Sequence, residues 1–440
     1  MPSSPWAGSP STDGGTRDRP LPPSTASRRR PISRPSIDHR APLPSLTGLR
    51  FVAAAPVFFF HLSLTFIPMN PFSDPTWADA YKTIFWKAGW VGVSFFFVLS
   101  GFLLMWRNSD SRGYWHFFRK RLVKLFPSHV VTWTAAMVLF AGAAAATPWD
   151  YLPNLFLVNS WFPVHDIFLA VNVPSWSLCC ELMFYAVFPL LAPLVRRIPD
   201  RRLALALAGC VAGTFVIAGI TTLLPNTPHT DGMPISTIQF WFGYNFPLPR
   251  LLEFTAGMIL ARLLAAGRLP TVRPAVAWGA LLVGYVVAEL VPFTFSFIPF
   301  TLAPLLLLVG SAVRRDLDGR PTWPSSRPMV WLGEVSFGFY MTQHVIMYTL
   351  RVKIQHGAHY APLPAIGLIL GTFAATILAG WLLYRLVELP AMNRWATARR
   401  DPGLPQGAPV RTPVAPTETE RAATDGLEAD GVEAGAGVSS

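Results

Sequence analysis

The chain has 440 residues, of which 52% are hydrophobic and only 14% charged, and its net charge is +12. A soluble globular domain carries roughly a quarter charged residues, so the composition excludes an ordinary soluble fold. The long uncharged runs also leave no water-facing basic groove for nucleic acid. Excess positive charge on an apolar chain points instead to a polytopic membrane protein with basic loops on the cytoplasmic side.

Residues 1–45 are rich in Pro, Ser and Arg and show no apolar periodicity. Such a segment cannot bury enough surface to offset its ordering entropy, which predicts a disordered basic tail. No apolar stretch with a small-residue cleavage site follows Met1, so no secretory signal is expected. The run Arg28 to Arg30 is either a solvated part of that tail or a contact for anionic lipid. Residues 397–440 are Pro-, Gly- and Ala-rich and predict a second disordered tail.

Between the tails, ten segments approach the roughly 20 apolar residues that a span requires. They are 50–67, 89–106, 125–145, 174–194, 203–224, 247–266, 275–292, 295–313, 328–350 and 362–388. Prolines at 153, 163 and 174 break the apolar stretch 151–173, which predicts an interfacial or re-entrant piece. The expected fold is an all-α polytopic transmembrane bundle of about ten spans, forming one domain over residues 46–396.

Orientation follows from the bases in the loops. The loops after spans two, four, six and eight hold 17: Arg107, Arg112, Arg119, Lys120, Arg121, Lys124; Arg196, Arg197, Arg201, Arg202; Arg262, Arg268, Arg273; Arg314, Arg315, Arg320, Arg327. The alternate loops hold four: Lys82, Lys87, Arg351 and Lys353. This asymmetry predicts a multi-pass protein of the inner or plasma membrane with both termini cytoplasmic. Cys179, Cys180 and Cys210 lie in apolar runs without metal-ligand spacing, so neither a disulfide framework nor a metal site is expected.

Ionisable groups within spans are costly and are functional candidates by default. Arg50 and His61 stand 11 residues apart, about 20° past three full helical turns, so they share a face with an axial rise of about 16 Å. Arg50 then sits at the cytoplasmic mouth and His61 near mid-depth. Glu181 lies seven residues past Pro174, about 10 Å in from the other surface, at a depth similar to that of His61. The two form either a general-base pair or a buried polar pair bracing two helices. The strip His116 to Pro127 is read as a cationic loop before span three. Topology accounts for some of its charge; the rest fits an anion site near Arg50, because Arg forks match phosphate oxygens. Arg121 and Lys124, three apart, share a helical face. No Gly-rich phosphate loop or Walker-type run is present, which argues against a nucleotide triphosphatase. Ser100 is either a nucleophile or, more simply, a small residue easing helix packing beside Gly101. His344 is a second candidate cavity-lining group, Arg250 with Glu253 a candidate membrane ion pair, and Glu289 and Glu334 end-of-span or packing groups.

These residues sit in blocks that resemble the acyltransferase 3 family of membrane O-acyltransferases. The run LTGLRFVAAAPVFFFHL carries the family's pattern of Arg, ten residues, His, here Arg50 and His61. GVSFFFVLSGFLL (Gly92 to Leu104) resembles the second-span signature, and PSWSLCCELMFY (Pro174 to Tyr185) the Trp-Ser-Leu-x-x-Glu motif with Glu181 as the acid. PRLLEFTAGM, LGEVSFGFYMTQH and YRLVELP follow in order, so the resemblance spans residues 45 to 395. The family's Arg-x-x-Arg motif reads Arg121-Leu-Val-Lys124 here, which keeps the charge and loses the second bidentate fork.

The resemblance implies acyl transfer from cytoplasmic acyl-coenzyme A, a donor substrate rather than a bound cofactor, to a hydroxyl. His61 would act as the general base or carry the acyl group, with Glu181 orienting it. Arg50, Arg119, Arg121 and Lys124 are the candidate donor-binding residues, and Trp176 and His344 are further substrate-binding candidates. The acceptor would be a surface glycan or glycolipid, or a glycosylated small molecule such as a macrolide, in a high-GC bacterium. A single-domain enzyme is expected, because the fused hydrolase-like domain that many family members carry has no counterpart in this sequence. The competing reading is a polytopic transporter, which ten spans with mid-depth charges and Pro/Gly-broken segments also suit.

Overall fold

The computed structural model describes residues 41–107, 113–230 and 232–396. The tails expected over residues 1–40 and 397–440, and Arg112 of the basic loops, lie outside the described residues. The first helix already includes Pro44 and Ser45, so the fold begins slightly before the expected end of the N-terminal tail. Among the described residues the secondary structure is helical, with two isolated β-bridges and no strand.

Eleven helices organise the chain. They are α1 (Pro44–Ser63), α2 (Pro75–Phe85), α3 (Ala88–Arg107), α4 (Tyr114–Ala136), α5 (Ser175–Arg197), α6 (Leu203–Leu223), α7 (Pro247–Ala265), α8 (Pro274–Leu290), α9 (Pro299–Leu317), α10 (Arg327–Tyr348) and α11 (Pro362–Leu383). Six of them open on proline, whose missing N–H has no partner in a first turn anyway and whose fixed φ suits it. Asp74 caps α2 by accepting hydrogen bonds from the N–H groups of Thr76 and Trp77. This short helix was not foreseen, because its pattern is amphipathic rather than apolar.

Ten of the helices fall where spans were expected, but among the described residues seven helical stretches are long and apolar enough to cross a membrane. The other three have physical reasons to fall short. Helix α7 carries Arg250, Glu253 and Arg262, α10 carries Glu334, Gln343 and His344, and α8 has 17 residues. The prolines in 151–173 do break that stretch, into short pieces around Leu152–Leu155, Asn159–Trp161 and His165–Phe168. The cationic strip, in contrast, is not a loop: all of His116 to Pro127 lies within α4.

Close approach of helices is built on glycine. A Cβ on Gly101 of α3 would lie 1.9 Å from the Phe254 carbonyl oxygen of α7, and one on Gly257 would lie 2.0 Å from the Val98 carbonyl oxygen. The two helices therefore touch backbone to backbone, as small residues permit in membrane bundles. Ring contacts along the same pair run in parallel register, Trp90 with Tyr244 and Phe97 with Arg250. Helix α5 follows the same direction, with Trp176 on Tyr244 and Phe184 on Phe254. At one end, Ser45 of α1 hydrogen-bonds Asp316 of α9, Arg262 of α7 bonds Asp200 after α5, and Lys124 of α4 pairs with Glu388 beyond α11. The base-rich segments thus gather at one end of the bundle.

Candidate active site

Among the described residues, two cavities inside the bundle hold the candidate site residues. The first, of 160 Å³, is at the base-rich end and is lined by Arg50, Ser100, Arg121, Lys124, Glu181 and Tyr185, among others. The second, of 630 Å³, holds His61 and His344 and extends away from the base-rich end to Asp150 and His165. Val93 of α3 and Tyr340 of α10 line both cavities, so the two chambers meet at these side chains.

The basic cavity assembles groups from five helices. Arg50, Arg121 and Lys124 all face the Glu181 carboxylate. The Tyr185 hydroxyl donates a hydrogen bond to that carboxylate at 3.0 Å, and the Ser100 hydroxyl lies beside the Tyr185 hydroxyl. Arg121 also packs against the rings of Phe117 and Tyr185. Lys124 forms an ion pair with the buried carboxylate of Glu388. Its charge is therefore already matched within the protein, unlike the free phosphate ligand expected from sequence. Arg119 departs further from expectation. Its guanidinium donates to the Trp395 carbonyl at 3.0 Å and does not line the cavity. A two-residue step on a helix is about 200° of rotation, so Arg119 falls on the opposite face from Arg121.

The second cavity is a histidine chamber. His61 and His344 are 7% and 5% exposed, with ring centroids 6.3 Å apart. The Nδ1 atoms of both rings have no hydrogen-bond partner, nor do the amide atoms of fully buried Gln343, whose side chain neighbours His61. Both imidazoles line the chamber, and the Gln343 side chain stands next to His61. Trp176 lines this chamber and packs on Tyr244 at 4.7 Å between centroids. Two irregular helical turns shape the wall: π-turns at Met137–Ala141 and Trp241–Asn245 present Phe140 and Tyr244. Wide turns of this kind often occur at functional sites.

His61 and Glu181 are not brought together. Glu181 belongs to the basic cavity, where it accepts from the Tyr185 hydroxyl, and His61 to the histidine chamber. Helix α5 turns its Glu181 face into the basic cavity and its Trp176 face towards the chamber. The five-residue step between them is about 140° of helical rotation. Tyr340, Gln343 and Arg351 were missed from sequence. Arg351 had been counted as a loop base, yet it is fully buried. It donates to the carbonyls of Met69 and Asn70 at 3.0 and 3.2 Å, holding the 64–72 segment that supplies Leu64 and Met69 to the chamber. A buried base beyond a span's end has no distinguishing spacing signal. At the far mouth, the N–H groups of Thr147 and Ala146 donate to Asp150 and hold its carboxyl below the usual carboxylate range.

Among the described residues, seven long apolar helices, a basic cavity and a histidine chamber together define a helical membrane protein with a site inside the bundle. Its family is shown by comparison. The model of the acyltransferase 3 family, described as an acyltransferase domain, matches residues 43–385, and the chain belongs to that family. The chain is 37% identical to Acyltransferase MdmB of Streptomyces mycarofaciens, over 80% of this chain and 92% of that protein. It is 29% identical to the exopolysaccharide production protein ExoZ of Rhizobium meliloti, over 72% and 93%. It is 24% identical to the peptidoglycan O-acetyltransferase OatA of Listeria monocytogenes, over 79% of this chain but 55% of that protein. No solved structure matches the chain.

Proposed function

We propose that this acyltransferase moves an acyl group from acyl-coenzyme A to an acceptor hydroxyl, with donor and acceptor entering from opposite ends. The observation that carries the reading is the meeting of the two cavities at Val93 and Tyr340. The base-rich end faces the cytoplasm by the positive-inside rule. There the donor phosphates bind Arg50 and Arg121, and Glu181 with Tyr185 orients the two guanidinium groups. Lys124, tied to Glu388, completes the positive rim without being a direct fork. The pantetheine arm runs along the shared face of α1, an axial distance of about 16 Å from Arg50 to His61, and brings the thioester to the junction.

The acceptor hydroxyl enters the histidine chamber and lies against His61. An imidazole acts as a base in its neutral form. His61 takes the hydroxyl proton as the oxygen attacks the thioester carbonyl. The new C–O bond forms, the C–S bond breaks, and His61 returns the proton to the departing thiolate. Gln343 and His344 position the imidazole and the acceptor.

Substitution of Arg121 tests the donor site. Charge-assisted hydrogen bonds to phosphate are worth roughly 1.5–3 kcal/mol. Arg121→Ala is therefore expected to raise the KM for acyl-coenzyme A about tenfold or more, with kcat little changed. Arg119→Ala, whose side chain faces Trp395, is expected to leave KM where it was. Steady-state kinetics on purified protein decides the point. Equal effects from the two variants would remove Arg121 from the donor site.

A further inference from the structure

On several helices the inner lining changes from one cavity to the other at a common level. On α1, Arg50 lines the basic cavity and Val57 the histidine chamber. On α10 the change falls between Phe337 and His344, and on α5 between Ser177 and Trp176. Tyr340 stands at this level, only 6% exposed, and lines both cavities from α10. Its side chain crosses to the first turn of α5. The Tyr340 hydroxyl donates to the Pro174 carbonyl at 3.3 Å and the Ser177 hydroxyl donates to the same carbonyl at 2.9 Å, with the two hydroxyl oxygens 2.8 Å apart. The ring also meets Phe96 of α3, at 6.0 Å between centroids. Each cavity reaches the surface at its own rim. The Lys124 side chain is 31% exposed at the base-rich end, and that of Asp166 is 92% exposed at the far mouth.

We propose that Tyr340 is the permeability seal of this protein, the side chain that keeps the two cavities from joining into a water-filled hole through the membrane. Cavities that open at opposite ends of a bundle and meet inside it form a channel unless a constriction excludes water. Tyrosine suits that position on two counts. Its ring supplies bulk between α3, α5 and α10. Its hydroxyl, tied to Ser177 and Pro174, holds the ring across the passage and is itself partnered, as a buried hydroxyl needs to be. Val93, the other side chain common to both cavities, is smaller and has no such anchor. The seal concerns the passage alone and does not depend on the acyl-transfer reading.

Urea flux into sealed proteoliposomes, followed by stopped-flow light scattering, tests the seal with no substrate present. Protein-free liposomes of the same lipid give the background, which the intact protein is expected to match. Tyr340→Ala should raise urea permeability about tenfold or more, as expected of a constriction that no longer excludes water. Tyr340→Phe keeps the ring, loses the hydroxyl anchor, and should leak less than Tyr340→Ala. Tyr340→Leu, a smaller apolar substitute, carries the same measurement if the alanine variant does not purify as a single species. Leu103→Ala, which removes bulk from the basic cavity away from the constriction, should stay at background. Alanine and leucine variants of Tyr340 as tight as the intact protein would overturn the proposal, and so would an intact protein that already leaks as they do. Equal leakage through Leu103→Ala would also overturn it, because loosening the bundle anywhere would then open the passage. A tight intact protein with leaky Tyr340 variants supports the seal even where acyl-coenzyme A releases no thiol, a result that sinks the catalytic reading alone.

Discussion

His61→Ala is expected to lower acyl transfer by about two to four orders of magnitude, the range general-base catalysis supplies. The expectation follows from where the imidazole stands. His61 is the last turn of α1, buried, at the closed side of the chamber, next to the point where the two cavities meet. The ring's neighbours are the Val57 carbonyl and the Gln343 side chain; removing it takes away no ion pair. The variant should therefore keep the fold, which gel filtration in detergent and unchanged acyl-coenzyme A affinity would register. A loss confined to kcat, with donor affinity intact, is the result that assigns His61 to the chemical step. A parallel loss of donor affinity would assign it to the architecture of the junction. His344→Ala is a natural companion, since the two rings stand 6.3 Å apart.

Arg250→Leu is expected to destabilise the protein by about 3–5 kcal/mol, because it strands a buried carboxylate. Arg250 and Glu253 are both fully buried on α7 and form an ion pair at 3.0 Å. The guanidinium also lies over the rings of Tyr244 and Phe97, at 4.9 and 5.2 Å. These contacts fix α7 to α3 just above the Gly101–Gly257 crossing. Breaking a buried pair on one side costs more than replacing both members by apolar residues. Arg250→Leu with Glu253→Leu should accordingly recover much of the lost thermal stability in detergent. If the single variant melts like wild type, the pair does not brace α7. If it folds normally but loses transfer, the pair belongs to the chemistry and not to the scaffold.

The sequence carried much of this architecture, for identifiable reasons. Apolar runs bounded by proline announced nearly every long helix, because proline starts α1, α7, α8, α9 and α11 and because basic loops mark their ends. The same logic failed where helices bear charge. The strip His116 to Pro127 reads as a loop by its charge, yet lysine and arginine are good helix formers and α4 runs through it. For the site, spacing along one helix was informative and depth across helices was not. Arg50 and His61 do share a face of α1 and line successive cavities. Glu181 turns into the other cavity, since counting residues from a span's end fixes neither rotation nor neighbour. The partners of Lys124 and Arg351 lie hundreds of residues away in sequence, in Glu388 and the 69–70 backbone. Long-range pairs of this kind leave no local pattern to read.

The central claim is that acyl-coenzyme A at the basic cavity loses its acyl group to a hydroxyl held at His61. Acyl-labelled acyl-coenzyme A, incubated with the purified protein and an acceptor in sealed proteoliposomes, tests it most directly. Free thiol and label in the acceptor are counted together. The account predicts one thiol released for each acyl ester formed, dependent on acceptor and lost in His61→Ala. Passage of unacylated acceptor across the vesicle without thiol release, or ester formed from a donor other than acyl-coenzyme A, would contradict it.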